Sequence, residues 1–129
     1  MRFMSLSLAA LLLSASAAAA EFSISFQWGD IPSCTSGRPN TVGSPAFVIK
    51  DLPAGTTSVQ FRLKDLDVPG YNHGGGKVKI SGDGKMPFGA FRYKSPCPPG
   101  SVHTYQWTAT AKGGGKTLGK ATAKRTYPE

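Results

Sequence analysis

Glycine and proline punctuate this chain so often that helices of any length are ruled out over most of it. All sixteen glycines and all ten prolines lie beyond Trp28, in a chain of 129 residues. Proline removes a backbone donor and fixes φ, while glycine costs a helix about 1 kcal/mol relative to alanine. Between these breaks the apolar residues alternate with period two. Phe22, Ile24, Phe26 and Trp28 alternate with Ser23, Ser25 and Gln27, and Val59, Phe61 and Leu63 do the same after the turn-forming Pro53-Ala54-Gly55-Thr56. This is the pattern of strands with one buried face. Ala46 to Ile49 reads as a short buried run, and Val78 with Ile80, Phe88 to Tyr93, Val102 to Ala111 and Thr117 to Tyr127 are further strand candidates. Lys112-Gly113-Gly114-Gly115-Lys116 reads as a hairpin connection. The expected fold class is all-β, with few or no helices after residue 20 and no internal repeat.

The first twenty residues read differently. Arg2 supplies a positive start, Leu6 to Leu13 an apolar run, and Ala18-Ala19-Ala20 a small-residue cleavage site before Glu21. This is the layout of a secretory signal peptide, and the run is too short and alanine-rich to span a bilayer comfortably. An uncleaved anchor is the alternative. Residues 1–20 are therefore expected to be a leader and 21–129 one domain, periplasmic or secreted and not transmembrane after cleavage. Such a domain has a thin margin of buried area. Two cysteines in an exported chain are most simply one disulfide, Cys34 to Cys97. In the chain-entropy account, closing the 63 positions between them contributes roughly 4 kcal/mol.

The formal net charge is +8, and losing the leader removes only Arg2. Basic domains attract phosphates, anionic headgroups and acidic polymers. The cations are mostly scattered, with Lys112, Lys116, Lys120, Lys124 and Arg125 as the one dense region, and their plain reading is a solvated face. No basic helix or aromatic-basic repeat of a nucleic-acid reader is present, so a nucleic-acid partner is not expected.

Both histidines fall in two turn-rich stretches: Asp65-Leu66-Asp67-Val68-Pro69 followed by His73, and Cys97-Pro98-Pro99-Gly100 followed by His103 and Tyr105. Asp65 and Asp67 share a face if the strand before them persists, and so do His103, Tyr105 and Trp107. If the two stretches meet, two imidazoles, a phenol and a carboxylate surround one site able to donate hydrogen bonds to an anion. A carboxylate there repels an anion unless it orients a histidine, the role assigned to Asp65. Taken singly, Asp65 or Asp67 also reads as a turn cap before Pro69, more so for Asp67, His73 as an exposed loop residue and Tyr105 as core.

These same stretches carry a resemblance. Asp65-Leu66-Asp67-Val68-Pro69-Gly70 resembles the D-P-D-A-P-x loop of the phosphatidylethanolamine-binding protein family, and Cys97-Pro98-Pro99-Gly100 with His103-Thr104-Tyr105 resembles its G-P-x-P-P-G…H-R-Y segment. Ile31-Pro32, Cys34-Thr35, Asn40 to Pro45 and Pro53 to Ser58 are similar, in order, to further blocks of the small bacterial branch described as Raf-kinase-inhibitor-like. The resemblance spans about residues 22–127. It implies an antiparallel β-sandwich of that family's type, with a small cavity for phosphate- or carboxylate-bearing ligands, including phospholipid headgroups. By position it implies a ligand site of Asp65, Asp67, His73, Pro98, Gly100, His103 and Tyr105, with no metal, no cofactor and no catalytic residue. Three positions depart from the family: Gly74 and Thr104 replace a bulky residue and an arginine, which implies a wider pocket floor, and Leu66 replaces a proline. The domain is also short for the family, so a C-terminal helix over the pocket is expected to be missing. The function implied is non-enzymatic anion or headgroup binding. The alternative is an inhibitor or interaction partner of a secreted or periplasmic hydrolase.

Overall fold

The computed structural model describes residues 20–34 and 37–129, so the expected leader lies, but for Ala20, outside the described residues. Nine strands follow in order: β1 (Ser23–Gln27), β2 (Thr41–Gly43), β3 (Ala46–Lys50), β4 (Ser58–Asp65), β5 (Gly75–Lys79), β6 (Gly84–Met86), β7 (Arg92–Lys94), β8 (His103–Gly113) and β9 (Lys116–Tyr127). Among the described residues there is no helix, and the fold is all-β with every strand pairing antiparallel. A three-stranded sheet runs β1-β3-β6, a four-stranded sheet runs β5-β4-β8-β9, and β2 pairs with β7.

The two larger sheets face each other because each offers one apolar face. Ile24, Phe26, Phe47 and Ile49 point inward from β1 and β3, and Val59, Phe61, Leu63, Tyr105, Trp107 and Ala109 point inward from β4 and β8. Large and small residues are matched in the register, Leu63 opposite Trp107 and Phe61 opposite Ala109. Phe47 bridges the layers, its ring 4.6 Å from Phe61 and 5.5 Å edge-on from Trp107. Burying an aromatic or aliphatic side chain of this size is worth about 1.5–3 kcal/mol, so this inter-sheet seam holds the layers together. The Trp28 indole N–H donates to the Thr126 carbonyl and the Arg125 side chain to that of Phe26, which ties β9 back to the strand that begins the domain.

The glycine cluster expected as a hairpin is one. Gly114 and Gly115 form the two-residue turn between β8 and β9, both with φ positive, as a turn matched to strand twist requires. Two expectations are corrected, and two strands, β2 and β6, were not expected at all. Phe88 to Tyr93 is not one strand: Gly89 takes a φ of 83°, the N–H groups of Gly89 and Ala90 donate to Ser44, and the chain extends again only at Arg92. The short strands β2 and β6 carry no legible alternation. Finally, Ala46 to Ile49 is not buried throughout, since Phe47 and Ile49 face the core while Ala46 and Val48 are half-buried.

Candidate ligand-binding site

Antiparallel pairing of β4 with β8 decides the site. It sets Asp65, the last residue of β4, opposite Tyr105 and places His103 at the start of β8 beside it. The His103 Nδ1 lies 2.7 Å from Asp65 Oδ2. A carboxylate only accepts, so Nδ1 carries the proton and Nε2 is the ring atom left for a ligand. The other Asp65 oxygen accepts the N–H groups of Asp67 at 2.9 Å and Val68 at 3.1 Å, which folds the loop after β4 into a turn. Burial alone would raise the Asp65 pKa, but the His103 hydrogen bond and these two backbone donors outweigh it and hold the carboxyl below its ordinary value.

His73 comes from the loop before β5 and is clamped to β7. Its Nδ1 donates to the Lys94 carbonyl at 2.7 Å, and the Lys94 N–H donates to the His73 carbonyl at 2.8 Å. Only 3% of His73 is exposed. Burial lowers its pKa, against the Lys94 carbonyl and the Asp65 charge, so the ring is neutral near pH 7 with its Nε2 lone pair free to accept. Tyr105 lies between the imidazoles, its ring edge-on to His73 at 5.6 Å and tilted against His103 at 6.3 Å. Burial, reinforced by the Asp65 charge, pushes the Tyr105 hydroxyl well above the usual phenol range, so it stays a neutral donor.

These four side chains line one cavity of about 220 Å³, together with Val68, Tyr71, Cys97, Pro99, Gly37 and Pro39. That is below the 300–1,000 Å³ of drug-sized sites, so it suits a group of a few heavy atoms. The second wall is anchored by the disulfide Cys34–Cys97, and the Ser95 hydroxyl accepts the Asn40 N–H beside it.

Three residues of the expected set do not line this cavity. Asp67 turns its Oδ2 onto the Thr104 N–H at 2.7 Å and so fastens the first loop to β8. Pro98 and Gly100 are also absent from the lining. Of Cys97-Pro98-Pro99, the alternate residues Cys97 and Pro99 border the cavity and Pro98 between them does not. The same alternation in Tyr71-Asn72-His73 was the available signal for Tyr71, whose ring is 4.6 Å from His73. Gly74 and Thr104 do not form the cavity floor either; Gly74 has a φ of 74° and a Cβ added there would meet open space.

Asp65, Asp67 and His103 bring ligand atoms within 4.8 Å of one another, the one cluster of its kind among the described residues. Its oxygens are already committed to His103, to the loop N–H groups and to Thr104, so a cation would have to displace those bonds. The arrangement instead presents an imidazole held by a carboxylate, a buried neutral imidazole and a phenol to a small polar group. Among the described residues no helix is long and apolar enough to cross a membrane. Compared with family models, curated proteins and solved structures, the chain matches none.

Proposed function

We propose that this chain is an exported, non-enzymatic binding protein for a small phosphate- or carboxylate-bearing group, with a phospholipid headgroup among its ligands, in the manner of the phosphatidylethanolamine-binding proteins its two loops resemble. The observation that carries the reading is the Asp65–His103 pair, at 2.7 Å, inside a cavity that His73 and Tyr105 also line. Asp65 accepts three donors, the imidazole and two backbone N–H groups, which offset part of its repulsion of an entering anion. The Tyr105 hydroxyl then donates to ligand oxygens, while His73 Nε2 and the His103 Nε2 left free by the Asp65 bond accept from a protonated oxygen or an ammonium hydrogen. A phosphomonoester carries both kinds of group. The disulfide suits an oxidising compartment, in keeping with export. Cys97, the one cysteine in the described lining, is oxidised and so offers no thiol nucleophile.

The test is to titrate inorganic phosphate, acetate and phosphoethanolamine into the protein while following the ring signals of His73 and His103 by NMR. Saturable shifts of both rings at millimolar ligand, lost in His103→Gln, are expected. Unmoved rings would reject the reading, and hydrolysis of a chromogenic phosphate ester abolished by His73→Ala would replace it with an enzyme.

A further inference from the structure

Antiparallel pairing collects onto the outer face of the four-stranded sheet cations that are scattered in the chain. In β8 the odd residues Tyr105, Trp107 and Ala109 are buried, and the even ones face out; β4, β5 and β9 follow suit. The register lays three rows across this outer face: Lys79–Ser58–Lys112, Lys77–Gln60–Thr110–Lys120 and Lys64–Gln106–Lys124. Arg62 sits on β4 between the second and third rows. None of the seven carboxylates in the sequence falls on these rows. The ion pairs among the described residues are His103–Asp65 and Arg125–Glu129, so all seven cations of the face are without an acidic partner.

Every row separates its cations by neutral hydroxyl or amide side chains. Strands lie about 4.8 Å apart and alternate residues about 6.8 Å apart along a strand, so neighbouring cations stand roughly 7–14 Å apart and the outer rows about 20 Å apart. The spacing of neighbours is close to the Debye length of about 10 Å at 0.1 M salt, and they act together on a polyanion.

We infer that this face binds a linear acidic polysaccharide carrying carboxylate or sulfate groups. The charges are complementary, and the interleaved Thr108, Thr110, Gln60 and Gln106 are placed to hydrogen-bond sugar hydroxyls between the charged groups. The rows contain no apolar or aromatic side chain. Interfacial membrane binding draws on inserted apolar groups, and single-stranded nucleic acid draws on stacking aromatics, so both fit this face less well. A duplex, being cylindrical, meets a sheet face along one strip and needs an element that enters a groove to be read.

Heparin supplies the probe, with phosphatidylglycerol vesicles and a DNA duplex as the comparison arms at the same salt. The protein without its leader is expected to bind heparin with an affinity that falls steeply as salt rises. At about 1 kcal/mol for each lysine near an anionic surface, Lys77→Gln with Lys120→Gln weakens binding about thirtyfold. The control pair Lys50→Gln with Lys85→Gln removes the same charge from exposed positions on the other sheet and leaves binding within about threefold. Circular dichroism and melting confirm that both variants fold. Equal losses in the two variants would overturn the proposal in favour of net charge alone, and tighter binding to the vesicles or the duplex than to heparin would overturn it in favour of that partner.

Discussion

Asp65 and His73 make the acid stability of this protein separable residue by residue. Both have pKa values lowered in the fold, so in each case the folded state binds fewer protons than the unfolded chain over the window below the ordinary value. Stability therefore rises with pH through both windows and is lost as pH falls. For His73 the loss begins below its ordinary value of 6.5, and for Asp65 below 3.8. In His73→Gln, melting temperatures between pH 8 and pH 5 should be flatter than in the parent. Asp65→Asn should flatten the limb below about pH 4 and steepen the His73 limb, because the Asp65 charge opposes the lowering of the His73 pKa. It should also cost about 2 kcal/mol at pH 7, the scale of a hydrogen bond to a charged group, read by urea unfolding. A parent whose stability does not fall from pH 7 to pH 5 would contradict the buried, neutral His73.

At the scale of elements, glycine decides where strands can approach. A Cβ on Gly75 would stand 1.8 Å from the Phe61 carbonyl oxygen, the backbone of the strand it pairs with. Gly75→Ala should therefore break the β4–β5 pairing at its first residue and loosen the loop that delivers His73. A loss of more than about 2 kcal/mol is expected, with faster amide exchange in β5 and in Leu63, whose N–H donates to the Gly74 carbonyl. Gly74→Ala makes a useful contrast, since it meets no atom and is penalised only by its left-handed φ of 74°. It should cost about 1 kcal/mol, so the two neighbouring glycines report packing and backbone strain separately.

For the whole molecule the long-range tie is the disulfide, which joins the segment after β1 to the loop before β8 across 63 positions. Cys34→Ser with Cys97→Ser should lower unfolding free energy by roughly 4 kcal/mol in the chain-entropy account. Because Cys97 also lines the cavity, phosphate affinity should fall in the same variant. Unchanged stability on replacing both cysteines would show that the two loops are held by other contacts. The proposed export makes its own prediction: if the leader is cleaved as proposed, the protein recovered from outside the cytoplasm should begin at Glu21, read by intact mass.

The strands around residues 22–28 and 59–63 were legible because apolar residues alternating with period two have one physical meaning, and 102–111 and 117–127 were candidates. The two stretches that border the cavity stood out by their concentration of histidine, aspartate and proline, but residue type alone left each of these residues a plainer use as turn cap, loop or core residue. Chain order could not say that Asp65 would meet His103, or that Asp67 would serve Thr104 and leave the cavity, because the β4–β8 register sets both distances. Nor could it gather Lys64, Lys77, Lys79 and Lys120 onto one face. Residue type and alternation determined which side of each strand is wet. The tertiary structure alone decided which wet sides and loop ends are neighbours, since hydrogen-bonded pairing brings together residues tens of positions apart.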